Sequence, residues 1–97
     1  MGDSTCQLLD ALLAIAQKAG IPPSVYAIEE CAELTQALMK DRRGKGDPEK
    51  IIDEACDVLN TVGILLRQYG VSQEEAEERM QAKCRRAVER WEKGRQV

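Results

Sequence analysis

Histidine and phenylalanine are both missing from this 97-residue chain, and aromatic residues make up only 3% of it. Without histidine there is no Ser-His-Asp or Cys-His catalysis, no His-containing zinc site and no Glu-x-x-His helix of the di-iron kind. So few rings offer little stacking platform for single-stranded nucleic acid. Positive charge is also in the minority, 14 Lys and Arg against 17 Asp and Glu, for a formal net charge of -3. That balance argues against a nucleic-acid binder held by a general positive field. No apolar run approaches the ~20 residues of a membrane span. The opening Met1-Gly2-Asp3-Ser4-Thr5-Cys6 lacks the basic start of a secretory signal, and Cys6 stands where a myristoylation motif wants Ser or Thr. The expectation is a cytoplasmic protein with neither membrane nor nucleic-acid partner. The four cysteines, at 6, 31, 56 and 84, form no Cys-x-x-Cys pair. A zinc knuckle or redox dithiol is therefore disfavoured, and the four are read as small buried apolar residues.

What is present is helix. Hydrophobic residues at 43% and charged residues at 32% suit a globular chain, and this length holds one core, so residues 1–97 read as a single domain. Ser4 and Gln7 fit a capping box ahead of Leu8, Leu9, Leu12 and Leu13, predicting a helix over roughly 4–19 that Gly20 stops before Pro22 and Pro23. Ser24 is the expected N-cap of a second helix reaching about Lys40. After the basic link Arg42-Arg43-Gly44-Lys45-Gly46, Asp47 caps a third helix with Pro48 at its first position, ending near Tyr69 and Gly70. Ser72 with Glu75 opens a fourth that fades near Gly94. The fold class expected is all-α, a four-helix bundle-like protomer.

The apolar arcs of helices two and three are broad. Ala27, Ile28, Cys31, Ala32, Leu34, Leu38 and Met39 cover roughly 160° of helix two, and Ile51, Ile52, Ala55, Cys56, Val58, Leu59, Val62, Leu65 and Leu66 a similar arc of helix three. Such arcs bury a helix on more than one side, which predicts a homo-oligomer, a dimer or tetramer. Helix four has a narrow stripe instead (Ala76, Met80, Cys84, Ala87, Trp91) amid many basic residues.

The acids carry the functional signal. Glu30 and Glu33 sit one turn apart on one side of helix two, and Glu54 and Asp57 repeat that spacing on helix three. Both pairs border apolar faces, where four like charges repel unless something positive lies among them. A hard divalent cation fits, since Mg²⁺ takes oxygen ligands and keeps waters and substrate phosphates as well. Glu29 and Asp53, each one residue ahead of a pair, are placed to orient a water or support the ligands. Solvated acids paired with lysines are the plainer reading of either pair alone; the doubling on consecutive helices favours the cation. No calcium loop and no P-loop is present.

Glu29-Glu30-Cys31-Ala32-Glu33 followed by Glu54-Ala55-Cys56-Asp57 resembles the paired signature of the MazG-like all-α nucleotide pyrophosphohydrolases, Glu-Glu-x-x-Glu, a loop, then Glu-x-x-Asp, over roughly residues 24 to 91. The resemblance implies Mg²⁺-dependent hydrolysis of a nucleoside triphosphate, ribo or deoxy, to the monophosphate and pyrophosphate, with Mn²⁺ as a substitute ion. It implies Glu30, Glu33, Glu54 and Asp57 as metal ligands and Glu29 as a support for those ligands or the residue positioning the attacking water. Lys83 and Arg86 resemble the basic positions that meet the phosphates, and Arg43, Lys45 and Lys50 are further candidates. Asn60 either touches base or sugar or faces solvent; Trp91 either packs or stacks on a base. Within the superfamily the chain is too short for the dimeric dUTPase layout and shows no clear match to the phosphoribosyl-ATP enzyme. The alternative to catalysis is a helical oligomerising or nucleotide-sensing module.

Overall fold

A computed structural model describes residues 4–95; Met1, Gly2 and Asp3, part of the opening stretch in which no secretory or myristoylation signal is expected, lie outside them. Among the described residues there are four helices and no strand: α1 Thr5–Ala19, α2 Pro23–Arg42, α3 Pro48–Gln68 and α4 Gln73–Arg95. No helix among them is long and apolar enough to cross a membrane.

The expected caps are largely in place. Ser4 Oγ accepts from Gln7 N at 3.2 Å while Gln7 Oε1 accepts from Ser4 N at 2.8 Å. Gly20, in the left-handed region at φ 71°, ends α1. Asp47 accepts from Glu49 N at 3.1 Å with Pro48 following, and Ser72 Oγ accepts from Glu75 N at 3.1 Å. Glu75 turns its carboxylate to Arg79, at 3.2 Å. Helix two departs from expectation: it starts one residue before Ser24, with Pro22 as N-cap and Pro23 at its first position, and runs on to Arg42. Two prolines set φ for a helix start as well as a serine cap does, so the backbone turns before Ser24 is reached. Gly44, at φ 78°, makes the turn to α3, where Lys45 N donates to Lys40 O at 3.0 Å.

Helices α2 and α3 run antiparallel as a hairpin, with residues 26–30 beside 57–64 and residues 33–40 beside 50–54. Helix α1 crosses α3 so closely over Gly63 that a Cβ there would stand 2.9 Å from Leu9 Cδ1. Arg67 clamps the crossing, Nε to Asp10 Oδ1 at 2.8 Å and Nη1 to Gly63 O at 3.1 Å. The buried apolar residues are few: Leu9 and Ala16 of α1, Pro23 and Ala37 of α2, Ile64 of α3.

Helix α4 buries none of its residues. The radius of gyration is 16.8 Å, against about 13 Å for a compact domain of this size. The protomer is thus a three-helix body with a projecting rod.

The broad arcs are only partly used. Ile28, Ile52 and Leu59 stay more than half exposed, and Val62, Leu38 and Met39 are also open. All four cysteines are free and exposed rather than buried, because Cys31 and Cys56 sit on the outward side of the hairpin and Cys6 and Cys84 on exposed parts of α1 and α4. Trp91 is exposed too and carries the Arg95 guanidinium 4.6 Å above its ring, so it is not packed into a core.

Candidate metal and nucleotide site

The seam of the α2–α3 hairpin is lined by charge. Tyr26, Ala27, Glu30 and Leu34 of α2 are half-buried there, and Glu54 and Thr61 of α3 are buried. The sequence placed the acids at the edge of the apolar faces; the fold turns Glu30 and Glu54 inward and leaves Ile28 and Leu59 outside. One carboxylate oxygen from each of Glu30, Glu33 and Glu54 lies within 4.8 Å of the other two.

Two of these carboxylates are incompletely satisfied. Glu54 Oε1 takes Lys50 Nζ at 2.7 Å, but Glu54 Oε2 and Glu30 Oε2 are buried without a hydrogen-bond partner. A buried carboxylate oxygen left unpaired is costly. The Glu30 carboxyl is accordingly raised above its ordinary range, first by burial and then by the negative charges of Glu33, Asp57 and Glu54. Glu54 is lowered because the Lys50 hydrogen bond outweighs its own burial, and Lys50 is raised in return. Three oxygen donors from two helices, two with an unused buried oxygen, suit a hard divalent cation that leaves further positions for water or phosphate. The residues present therefore fit a metal.

Two recesses flank the acids. Toward the start of α2, one of about 230 Å³ is walled by Leu12 and Ile15 of α1, Tyr26 of α2 and Thr61 and Ile64 of α3, with Glu30, Asp57 and Asn60 on its rim. Toward the α2–α3 turn, another of about 290 Å³ is lined by Glu33, Gln36, Ala37, Lys40, Lys50 and Glu54.

Of the expected ligands, Glu30, Glu33 and Glu54 come together, while Asp57, one turn beyond Glu54, faces the first recess beside Glu30. Lys50 is at the cluster and Asn60 on the recess rim. Glu29 is exposed on α2, and Arg43 and Lys45 are exposed in the turn without lining either recess. Lys83 and Arg86, on the projecting α4, line neither recess. Lys40 and Gln36 were missed from sequence, although Gln36 and Lys40 continue the Glu33 side of α2 at helical spacing.

A protein-family model described as phosphoribosyl-ATP pyrophosphohydrolase matches residues 12–87, which take in the acid cluster and both of its helices. The chain belongs to that family. It lies within the MazG-like all-α superfamily expected from the paired acids. The family also corrects the narrower expectation, since the phosphoribosyl-ATP branch is the one that matches. The protein is a pyrophosphohydrolase, a hydrolase of phosphoric anhydride bonds, with a nucleotide as substrate. Searches of curated proteins and of solved structures gave no match. The sequence could not announce the family's branch because its signal, the paired acids, is common to the whole superfamily.

Proposed function

We propose that residues 1–97 form one domain that hydrolyses the α–β anhydride of a nucleoside triphosphate or phosphoribosyl-ATP-like substrate in a Mg²⁺-dependent reaction, releasing pyrophosphate and the monophosphate. The carrying observation is the trio Glu30, Glu33 and Glu54, with two buried oxygens awaiting a positive partner. These carboxylates, with Asp57 beside Glu30, are the ion's ligands in this reading. Bound there, the ion would supply Lewis-acid polarisation of the phosphoryl oxygens and charge neutralisation. The chain's own part is to hold the anhydride between the recesses, to meet phosphate charge with Lys50, and to keep a water on the Glu29 side of α2 in line with the α-phosphorus. Water's oxygen bonds to that phosphorus as the bridging P–O bond breaks, the water releases a proton to the surrounding solvent, and the bridging oxygen leaves with pyrophosphate.

Supporting a homo-oligomer, a dimer or tetramer, the chain exposes 7827 Å², against about 5,500 Å² for a compact monomer of this mass. Lys83 and Arg86, remote from the acids of their own chain, serve the site of a neighbouring copy in this reading, with Arg43 and Lys45 on the same substrate's path.

The test is pyrophosphate release from a panel of ribo- and deoxynucleoside triphosphates and phosphoribosyl-ATP, with and without Mg²⁺. Turnover of at least one compound that vanishes with chelator and in Glu33→Ala is expected. Release that survives both treatments refutes the metal assignment, and no release from any compound refutes the function.

A further inference from the structure

The two recesses beside the acids differ in chemistry, and the difference gives the substrate a direction. Along α2, Tyr26, Glu33 and Lys40 follow at intervals of seven residues, each interval about 10.5 Å along the axis. The acid trio therefore sits midway between an apolar recess at one end and a polar one that holds two lysines at the other. The apolar end offers aliphatic walls, the Tyr26 ring and the Asn60 amide, and its charged groups are Glu30 and Asp57. The other end brings Lys40 from α2 and Lys50 from α3 to one space with the Gln36 amide, beside Glu33 and Glu54 of the trio, the latter paired with Lys50 at 2.7 Å.

A nucleoside triphosphate has matching asymmetry. Its base has flat apolar faces and a hydrogen-bonding edge, and its far end is the most highly charged part of the molecule. Each recess carries two of the acids assigned to the ion, so the lysines make the difference: the reverse placement leaves the outgoing pyrophosphate in a recess with no cationic side chain and sets the base against two ammonium groups. We infer that the nucleotide lies along the hairpin in one direction only, base in the recess of Tyr26 and Asn60, departing pyrophosphate in the recess of Gln36, Lys40 and Lys50. The inference rests on the pyrophosphohydrolase reading above and adds two positioning residues to it, Lys40 for the leaving group and Tyr26 for the base.

Calorimetric titration of the full chain in excess Mg²⁺, with inorganic pyrophosphate and with AMP as separate probes, tests the direction. Lys40→Gln should weaken pyrophosphate about tenfold and AMP less than twofold, and Lys40→Arg should recover most of the loss. Tyr26→Leu should show the opposite pattern. Circular dichroism checks that all three variants remain helical; Lys40 is exposed in the last turn of α2, so its replacement leaves the packing intact. Equal losses for both probes, or AMP weakened by Lys40→Gln, overturn the direction. If that happens while the wild-type chain still releases pyrophosphate from the panel, the direction alone fails; if the wild-type chain releases none, the reading beneath it fails as well.

Discussion

Leu59 offers the sharpest test of how this chain completes its core. It lies on the outward side of α3 and is 67% exposed. Fully burying a leucine is worth about 1.5–3 kcal/mol, so covering what Leu59 still exposes is worth about 1–2 kcal/mol. In a two-fold dimer the same residue occurs on both sides. Leu59→Asp therefore removes about 2–4 kcal/mol per dimer before any penalty for the buried charge, a weakening of roughly thirtyfold to a thousandfold in Kd. Sedimentation velocity across a hundredfold concentration range reads the effect directly. The wild-type chain should sediment as a dimer or tetramer, and the variant should dissociate at the lower concentrations. Mixing Glu33→Ala chains with Lys83→Ala/Arg86→Ala chains should also restore part of the activity if α4 serves a neighbour. A wild-type chain that stays monomeric at high micromolar concentration refutes the argument from exposed area, and unchanged assembly of the variant removes Leu59 from the interface.

Replacing Glu30 by Gln removes a carboxylate that burial and three neighbouring acids hold above its ordinary pKa near 4.5. A raised carboxyl contributes stability when protonated and loses it as pH rises through the raised value, whereas Glu54, lowered by Lys50, contributes above the ordinary value and loses it as pH falls. In metal-free buffer Glu30→Gln should therefore melt higher than wild type above that pH and show a flatter profile. Mg²⁺ should raise the wild-type Tm and leave the variant nearly unmoved; an equal rise in both, measured by scanning calorimetry, takes Glu30 out of the ligand set. Leu9→Ala removes one of few buried apolar side chains, at the crossing over Gly63, and should cost about 2–4 kcal/mol in urea unfolding. A loss below 1 kcal/mol would show that α1 is not held by that contact.

The helices could be read from sequence because their ends are written in local chemistry: Ser4 with Gln7, Asp47 with Pro48, and Gly20 as a stop act within four residues. Of the four acids expected to converge, Glu30, Glu33 and Glu54 do, since spacing on a helix fixes which side a residue occupies, while Asp57 faces the neighbouring recess. Which side meets the neighbour was not. On α2, apolar groups stand both inside the seam (Ala27, Leu34, Ala37) and outside it (Ile28, Leu38, Met39), so periodicity alone could not choose. The cysteines went wrong with that choice. Lys40 stayed hidden because its helical spacing from Glu33 does not say what faces it; only the fold sets it across from Lys50. The detachment of α4 is not written in local pattern either, since its stripe of Met80, Cys84 and Trp91 looks the same whether covered by its own chain or by another.

A hairpin zipped by leucines would hold equally well in any buffer. Here part of the zipper is made of carboxylates, so its grip depends on what is dissolved around it. If the trio holds a divalent ion as proposed, scarcity of that ion leaves the two rods pushing against each other at their midpoint, and its capture draws them together. In that reading the joint that cuts the nucleotide is also a tie-bolt of the protein, and removing the ion should loosen the frame along with the chemistry.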